Sequence, residues 1–335
     1  MPCRVCAHAG EPTRHVAREM MFGWRDEFVY EQCPACECLQ IAQVPADLER
    51  FYPDAYCAFD EPGRPDRLPA WCGTMLTGPA LPLLAVLTHL GAADREAYLA
   101  RRVAAFYFGG LGLDNGARIL DVGCGQGGLL RALASIGYTR LAGVDRFARL
   151  PLRADGPPVH QGTLADLERR AEWDLIMLHH SFEHMEDPIG TLREVAARLA
   201  PGGTCLLRIP VVPNACFTQY GVDWVGLDAP RHIFLHSRKS MACAAQAAGL
   251  GVARVVYDST NFQFVASEQY ARGQPLNDPA SLDPWAWALP AGRADGGGAR
   301  MNLAQLVLLE RRARALDAAG AGDQAAFYLR HAQPA

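Results

Sequence analysis

Glycines at 123, 125, 127 and 128 interrupt the chain between an apolar, β-prone run (Ile119, Leu120, Val122) and a helix-like run of Leu129, Leu130, Ala132 and Leu133. A strand that enters a glycine turn and leaves as a helix brings backbone N–H groups and a helix N-terminus to one spot, where a carboxylate or phosphate can be held. The pattern implies a nucleotide-like cofactor. Gly123, Gly125 and Gly128 also satisfy the dinucleotide fingerprint, so the glycines alone leave the cofactor open. A second set of reactive residues lies near the N-terminus, where Cys3-x-x-Cys6 is matched by Cys33-x-x-Cys36. Two such pairs offer four thiolates at ~2.3 Å to one tetrahedral zinc and leave no open position, so the predicted metal is structural. Cys38, His8 and His15 are the substitute ligands. A segment so poor in apolar residues would draw much of its folding free energy from the metal.

The elements that must position these groups alternate between strand and helix. Strands are expected at 118–122, 140–145, 158–161, 174–179, 203–209 and 251–257, and helices at 127–136, 187–200 and 236–248. That alternation predicts an α/β, doubly wound sheet. Asp187 caps the helix at 187, Pro188 suits its first turn, and Pro201-Gly202-Gly203 is expected to stop it. Upstream, residues 1–60 make a ribbon with an aromatic segment, and 61–116 a linker with helical patterns at 81–90 and 94–108. Residues 117–335 form the main domain, with 259–321 a helical excursion over the cleft. The alternation at 323–331 is the expected seventh strand, antiparallel to the sixth; 262–268 is the competing choice.

The run Arg118 to Leu130, RILDVGCGQGGLL, with Asp121 two positions before the first glycine, resembles motif I of the class I S-adenosylmethionine-dependent methyltransferases. Two further matches follow in the family's order: HHSFEHMEDP from His179 to Pro188 at the end of strand four, and RLAPGG before strand five. The resemblance implies a seven-stranded Rossmann-like methyltransferase sheet with S-adenosylmethionine as cofactor. Asp121, Gly123 and Gly125 would take its methionyl part, and Asp145, closing RLAGVD, its ribose; Phe147 would cover the adenine. Gly162-Thr163 stands where many relatives place an acidic residue for the adenine, so Asp166 or a backbone carbonyl is the substitute. FYPDAYCAFD is similar to the Tyr-rich segment that joins ribbon and catalytic domain in ribbon-bearing methyltransferases. Tyr52, Tyr56 and Phe59 are read as packing against the cofactor domain or lining the cleft. The Pro-Arg-His segment at 230–232 is similar to the stretch that precedes the last large helix in one methyltransferase subgroup, and the Ser-Glu-x-Tyr segment at 267–270 to a stretch in proteins often tied to saccharide or secondary-metabolite modification.

Methyl transfer is an in-line displacement at a carbon activated by a sulfonium, and a hydroxyl acceptor must lose its proton as the bond forms. No metal is required for that step. The candidates for the base are Glu183 and His184 at the end of strand four and His232, with a lesser role for His179 and His180. An imidazole is mostly neutral at pH 7 and ready to accept a proton. Arg231 would hold an anionic group of the substrate or pair with Asp228, and Tyr220 and Trp224, with Phe217, Trp285 and Trp287, would supply aromatic cleft surface. The expected acceptor is a small molecule, first a sugar hydroxyl or sugar carbon, with O- or N-methylation of an aromatic or peptide-like product as the alternative.

Composition narrows the remaining classes. The net charge is −4, and residues 1–60 carry five arginines against ten acidic residues, the wrong sign for a nucleic-acid clamp of the kind some ribbons provide. No nucleic-acid partner is therefore expected. Apolar runs fall short of the ~18 residues that span a bilayer, and the first residues lack signal-peptide order. A cytoplasmic enzyme with its eleven cysteines reduced is expected. A homodimer is one arrangement open to it.

Overall fold

The computed structural model describes residues 2–53, 56, 92–148, 156–278 and 303–332. The expected helix at 81–90, the linker stretch 61–80, Phe59, Trp285 and Trp287 lie outside them. Two sheets organise the described residues. The smaller holds β1 (Thr13–Arg18), β2 (Glu27–Gln32), β3 (Leu39–Ile41) and β9 (Phe234–Leu235) in that order. Its last strand comes from the main domain, with Leu39 opposite Leu235 and Gln40 opposite Phe234. The ribbon is thus completed by a piece of chain about two hundred residues away.

The larger sheet holds β4 (Arg118–Val122), β5 (Arg140–Asp145), β6 (Val159–Gln161), β7 (Trp173–His179), β8 (Leu199–Pro210), β10 (Leu250–Tyr257) and β11 (Gln324–His331). Their spatial order is β10-β11-β8-β7-β4-β5-β6. Neighbours from β8 to β6 run parallel, and β11 is antiparallel to both β8 and β10. Strands covered on both faces must be apolar at successive positions. Accordingly Ile119, Leu141, Leu175, Met177 and Leu206 pack into one core, and Leu120, Val144, Ile176, Leu178 and Leu207 into the other. The second core runs without a break into the ribbon, taking in Val5, Tyr30, Leu39 and Ile41.

Helices α1 (Ala92–Val103), α2 (Gly128–Ser135), α3 (Pro188–Ala196), α4 (Ala215–Tyr220), α5 (Arg238–Ala247), α6 (Phe262–Ala271) and α7 (Leu303–Ala318) complete the described chain. α3 is capped as expected, Asp187 accepting from the Gly190 N–H at 2.8 Å, but it ends at Ala196 and not at the glycines. Leu199 is already paired with Trp173, whereas Leu175 pairs with Thr204. Pro201-Gly202-Gly203 is therefore a bulge inside β8, with Gly202 at φ +79°, and not a helix stop. The closing alternation forms β11, the preferred seventh strand. The competing segment 262–268 lies in α6, whose residues 263–267 and 269–270 are all buried. Burial on nearly every side makes α6 part of the core and not an open excursion over a cleft.

The ribbon is fastened to the main domain by a charge cluster. Arg231 is fully buried, and its guanidinium donates to both carboxylate oxygens of Asp228 at 3.0 and 2.6 Å, to Glu19 at 2.8 Å and to the Phe51 carbonyl at 3.1 Å. Glu19 also accepts the backbone N–H groups of Phe22 and Trp24, each at 3.0 Å. Removing one member of a buried ion cluster strands the others without water, at about 3–5 kcal/mol. Arg231→Ala should lose that much stability in a denaturant titration. A loss under about 1 kcal/mol would show that the cluster does not hold ribbon and main domain together.

Candidate functional site

The order of the large sheet reverses between β4 and β7, and in open α/β sheets that crevice, beyond the carboxyl ends of the strands, is where ligands bind. The glycine turn leaves β4 at this place. Gly123, Gly125 and Gly127 have φ of +76°, +55° and +73°. At 123 a side chain is excluded twice over, since a Cβ there would stand 2.3 Å from Cβ of Ser181. Ser181 follows β7, and its hydroxyl donates to the Val122 carbonyl at 2.7 Å, so the two strand ends are pinned together.

Asp121 ends up only 3% exposed, and burial, with the Asp145 charge beside it, pushes its carboxyl up to about 7. Asp145 accepts the Gly125 N–H and the Phe147 N–H, both at 2.7 Å. Burial raises its pKa, and these hydrogen bonds work against the rise. Phe147 is 40% exposed and stacks on Tyr52 at 5.6 Å and 19°. Asp166, the substitute considered for the adenine, spends its carboxylate capping Thr163, at 2.7 and 2.8 Å.

On the other side of the switch point, the three candidate bases come together. A short 3₁₀ turn, Phe182–His184, carries Glu183 inward to complete burial and His184 to its rim. His184 Nδ1 lies 2.9 Å from the Arg231 carbonyl and 3.1 Å from the Tyr52 hydroxyl. His232 Nδ1 lies 2.9 Å from the Gly226 carbonyl, and the two imidazoles are 4.8 Å apart, edge to face. His232 Nε2 is 3.9 Å from both Glu183 Oε1 and Asp228 Oδ2. Burial drives His184 down to about 4, helped by His232, so its imidazole is neutral. Burial alone would raise the Glu183 carboxyl, but the His180 ring and the imidazoles of His184 and His232 outweigh it and hold the group at about 2.

Behind Glu183 runs a buried polar chain that the sequence did not expose as a unit. His180 Nδ1 is 3.3 Å from Glu183 Oε1, and its Nε2 receives Nη1 of Arg208 at 2.5 Å. Arg208 pairs in turn with Asp258, to which the Tyr107 hydroxyl also donates. An arginine inside the apolar run TCLLRIP, buried on both faces of the sheet, was the available signal, because such a charge demands a partner. His179 is held neutral by burial beside the Tyr107 ring.

The residues expected at the substrate fall elsewhere. Arg231 is occupied by Asp228, Glu19 and Phe51, and Trp224 is fully buried with Nε1 3.3 Å from Asp323. Both are scaffold: Arg231 makes the Asp228 pair that was the alternative to an anion clamp, buried and not at the surface, and Trp224 is sealed in the core where an aromatic wall was expected. Burial excludes them from contact with a ligand. Tyr220 is half-buried at the end of α4. The four cysteines converge: Sγ of Cys3 is 3.6 Å from that of Cys36, and Sγ of Cys6 is 3.6 Å from that of Cys33. A regular tetrahedron of ~2.3 Å bonds has edges of about 3.8 Å, so the group is close enough to hold one metal ion. Cys38, which is buried, lies outside this group, as do the exposed His8 and the half-buried His15. Among the described residues, no helix is long and apolar enough to cross a membrane.

Residues 92–255 match a family described as Methyltransferase domain. The ubiquinone biosynthesis O-methyltransferase of Bordetella avium is 32% identical over 157 residues, covering 40% of this chain and 62% of that protein. The protein of the same name from Vibrio parahaemolyticus is 34% identical over 98 residues, covering 26% and 41%. The chain thus spans less than two thirds of these relatives. Among solved structures, the magnesium protoporphyrin IX methyltransferase of Synechocystis with bound SAH is similar at a TM-score of 0.37 and 19% identity, over 52% of this chain and 84% of that one. The geranyl diphosphate C-methyltransferase of Streptomyces coelicolor is similar at 0.41 and 15%, over 70% and 81%. Likenesses this loose carry no information about the site. The strand order and the glycine turn agree with the family match: residues 92–255 match a methyltransferase domain.

Proposed function

We propose that the protein transfers a methyl group from S-adenosylmethionine to a small-molecule acceptor. The observation that carries this reading is the pair of carboxylates, Asp121 and Asp145, set at the ends of β4 and β5 around the glycine turn. The donor is a cation, with a sulfonium and an ammonium, and supplies a methyl carbon open to displacement. Asp121, buried and repelled by Asp145, gains from a positive charge beside it. Asp145 would accept from the ribose hydroxyls, and Phe147 has an exposed face for the adenine. Glu183, His184 and His232, across the switch point, present lone pairs where an acceptor's proton has to be handled.

The acceptor is read as a hydroxylated small molecule. The Ser-Glu-x-Tyr segment, similar to a stretch in proteins tied to saccharide modification, favours a sugar hydroxyl or carbon, and the Pro-Arg-His segment is similar to one methyltransferase subgroup. Most of their residues are scaffold here, for Arg231 is tied to Asp228 and Glu19, and Tyr270 is buried. The relatives named ubiquinone biosynthesis O-methyltransferases favour a ring hydroxyl instead. Labelled donor offered to a sugar nucleotide, a catechol and an RNA distinguishes these readings. Transfer to the first or second supports the proposal, and transfer to the RNA alone overturns it. His232→Ala should lower turnover on the accepted compound by about 10²–10⁴ while donor affinity is kept.

Donor binding should depend on pH in a definite direction. In the free protein the Asp121 carboxyl stays protonated below about 7, and a bound cation lowers that value, so affinity rises with pH. Calorimetry should find the donor about tenfold weaker at pH 6 than at pH 8. Asp121→Asn should flatten the curve; a flat curve in the unmodified protein removes Asp121 from the donor site.

The metal held by Cys3, Cys6, Cys33 and Cys36 is proposed to be structural zinc, since four thiolates leave it no open position. Elemental analysis should return about one zinc bound by sulfur per chain. Cys33→Ser should lose it and expose the ribbon to proteolysis. A protein that keeps its ribbon protected from protease without metal would contradict the assignment.

A further inference from the structure

We propose that Glu183, His184 and His232 form a second metal site, one that binds a divalent cation at the tip of β7. One nitrogen from each histidine and one carboxylate oxygen lie within 4.8 Å of one another. Ligands at 2.0–2.2 Å from a common ion stand at most about 4.4 Å apart, so closure needs shifts of a few tenths of an ångström.

The hydrogen bonds around the cluster favour a metal. A carbonyl oxygen only accepts, so Nδ1 carries the proton in both rings, facing Arg231 in one case and Gly226 in the other. Each Nε2 is left with a lone pair. An imidazole fixed through its far N–H to a backbone carbonyl is the arrangement that orients histidine on a metal. Glu183 is wholly buried; the His180 ring stands 3.3 Å from its Oε1, and its Oε2 has no hydrogen-bond partner. Asp228 adds a second carboxylate 3.9 Å from His232 Nε2. The free lone pair of His232 Nε2, 3.9 Å from Glu183 Oε1, a nitrogen of His184 and the buried Glu183 carboxylate thus share one space, and a space so rich in acceptors is costly in a low dielectric until a cation enters it. Two imidazoles and one carboxylate suit zinc, iron(II), cobalt(II) or manganese(II), and leave coordination positions free for an exogenous oxygen.

The role of this ion rests on the methyl-transfer reading. A hydroxyl bound to it would lose its proton to water more readily. The oxygen lone pair then forms the bond to the methyl carbon while the carbon–sulfur bond breaks and its electron pair returns to sulfur. The ligand class is thus a small molecule that offers a hydroxyl oxygen to the metal. Tyr52 is a positioning residue here: its hydroxyl meets His184 Nδ1 while its ring stacks on Phe147 at the donor side.

The test uses the full chain with the ribbon's zinc in place and Mn²⁺ as probe, because four thiolates select zinc over manganese. Free Mn²⁺ is followed by electron paramagnetic resonance during titration. One equivalent should bind, at least 100-fold more weakly in Glu183→Gln and His232→Ala, and about tenfold more weakly in Tyr52→Phe, which changes only a support of a ligand. Circular dichroism and donor calorimetry on each variant separate a lost ligand from a lost fold. If the folded protein takes up no Mn²⁺, Co²⁺ or Zn²⁺ beyond the ribbon's while still binding the donor, the second site is overturned and the methyl-transfer reading stands. If Mn²⁺ binds with the expected variant losses and the donor does not, the site stands without that reading.

Discussion

The buried guanidinium of Arg231 is the constraint on which the rest of this molecule depends. A charge without water is tolerable only when its donors are met, and here they are met by Asp228 from its own turn, by Glu19 from the ribbon and by the Phe51 carbonyl after it. That requirement locks the ribbon against the segment from 224 to 236. The segment repays the lock by completing the ribbon's sheet through β9. It also carries the Arg231 carbonyl that faces His184 and the main chain of His232, whose carbonyl accepts the Tyr30 hydroxyl at 2.8 Å. The cysteine cluster therefore has an indirect part in the site: it holds the strands that hold Glu19 and Tyr30, and through them the two imidazoles.

The switch point separates two kinds of charge. On the β4 and β5 side stand carboxylates raised by burial, which welcome a cation. On the β7 side stands a carboxylate held low, backed by a file of alternating partners from Asp258 through Arg208 and His180 to Glu183. A cationic donor and an acceptor that must shed a proton have opposite needs. Under the proposed function, the unlike electrostatics of the two sides would serve both, where a low dielectric strengthens each interaction.

What the sequence made legible follows from local rules. Short apolar runs, and at 323–331 an alternation, located the seven strands of the large sheet, because in most of them burial is written in the strand's own residues. The glycine turn was legible because positive φ and a close neighbour allow little else at 123. The grouping of Glu183, His184 and His232 was legible only as three separate candidates, since their meeting depends on a contact across some fifty residues. Arg231 and Trp224 were misplaced for a related reason. An arginine or a tryptophan beside a cleft and one sealed in the scaffold have the same local sequence, and only Glu19 and Asp323, distant in the chain, decide between them. β9 has two residues and no periodicity to read. Pro201-Gly202-Gly203 was taken as a helix stop because proline and glycine punctuate both helices and strands, and the register of β7 against β8 chooses the bulge.

Tyr52 shows why fold and chemistry cannot be separated here. It belongs to the ribbon side, just after the 3₁₀ turn Leu48–Phe51 that offers the Phe51 carbonyl to Arg231. Its ring lies on Phe147 at the end of β5, and its hydroxyl reaches His184 at the end of β7. Burial raises its pKa, so the phenol keeps its proton and stays neutral against the carboxylates of Asp228 and Glu183. A single side chain thus touches the ends of β5 and β7 at once, and it can do so only while Arg231 holds the preceding turn in place. The geometry of the site is accordingly as stable as the junction between ribbon and sheet, and no more.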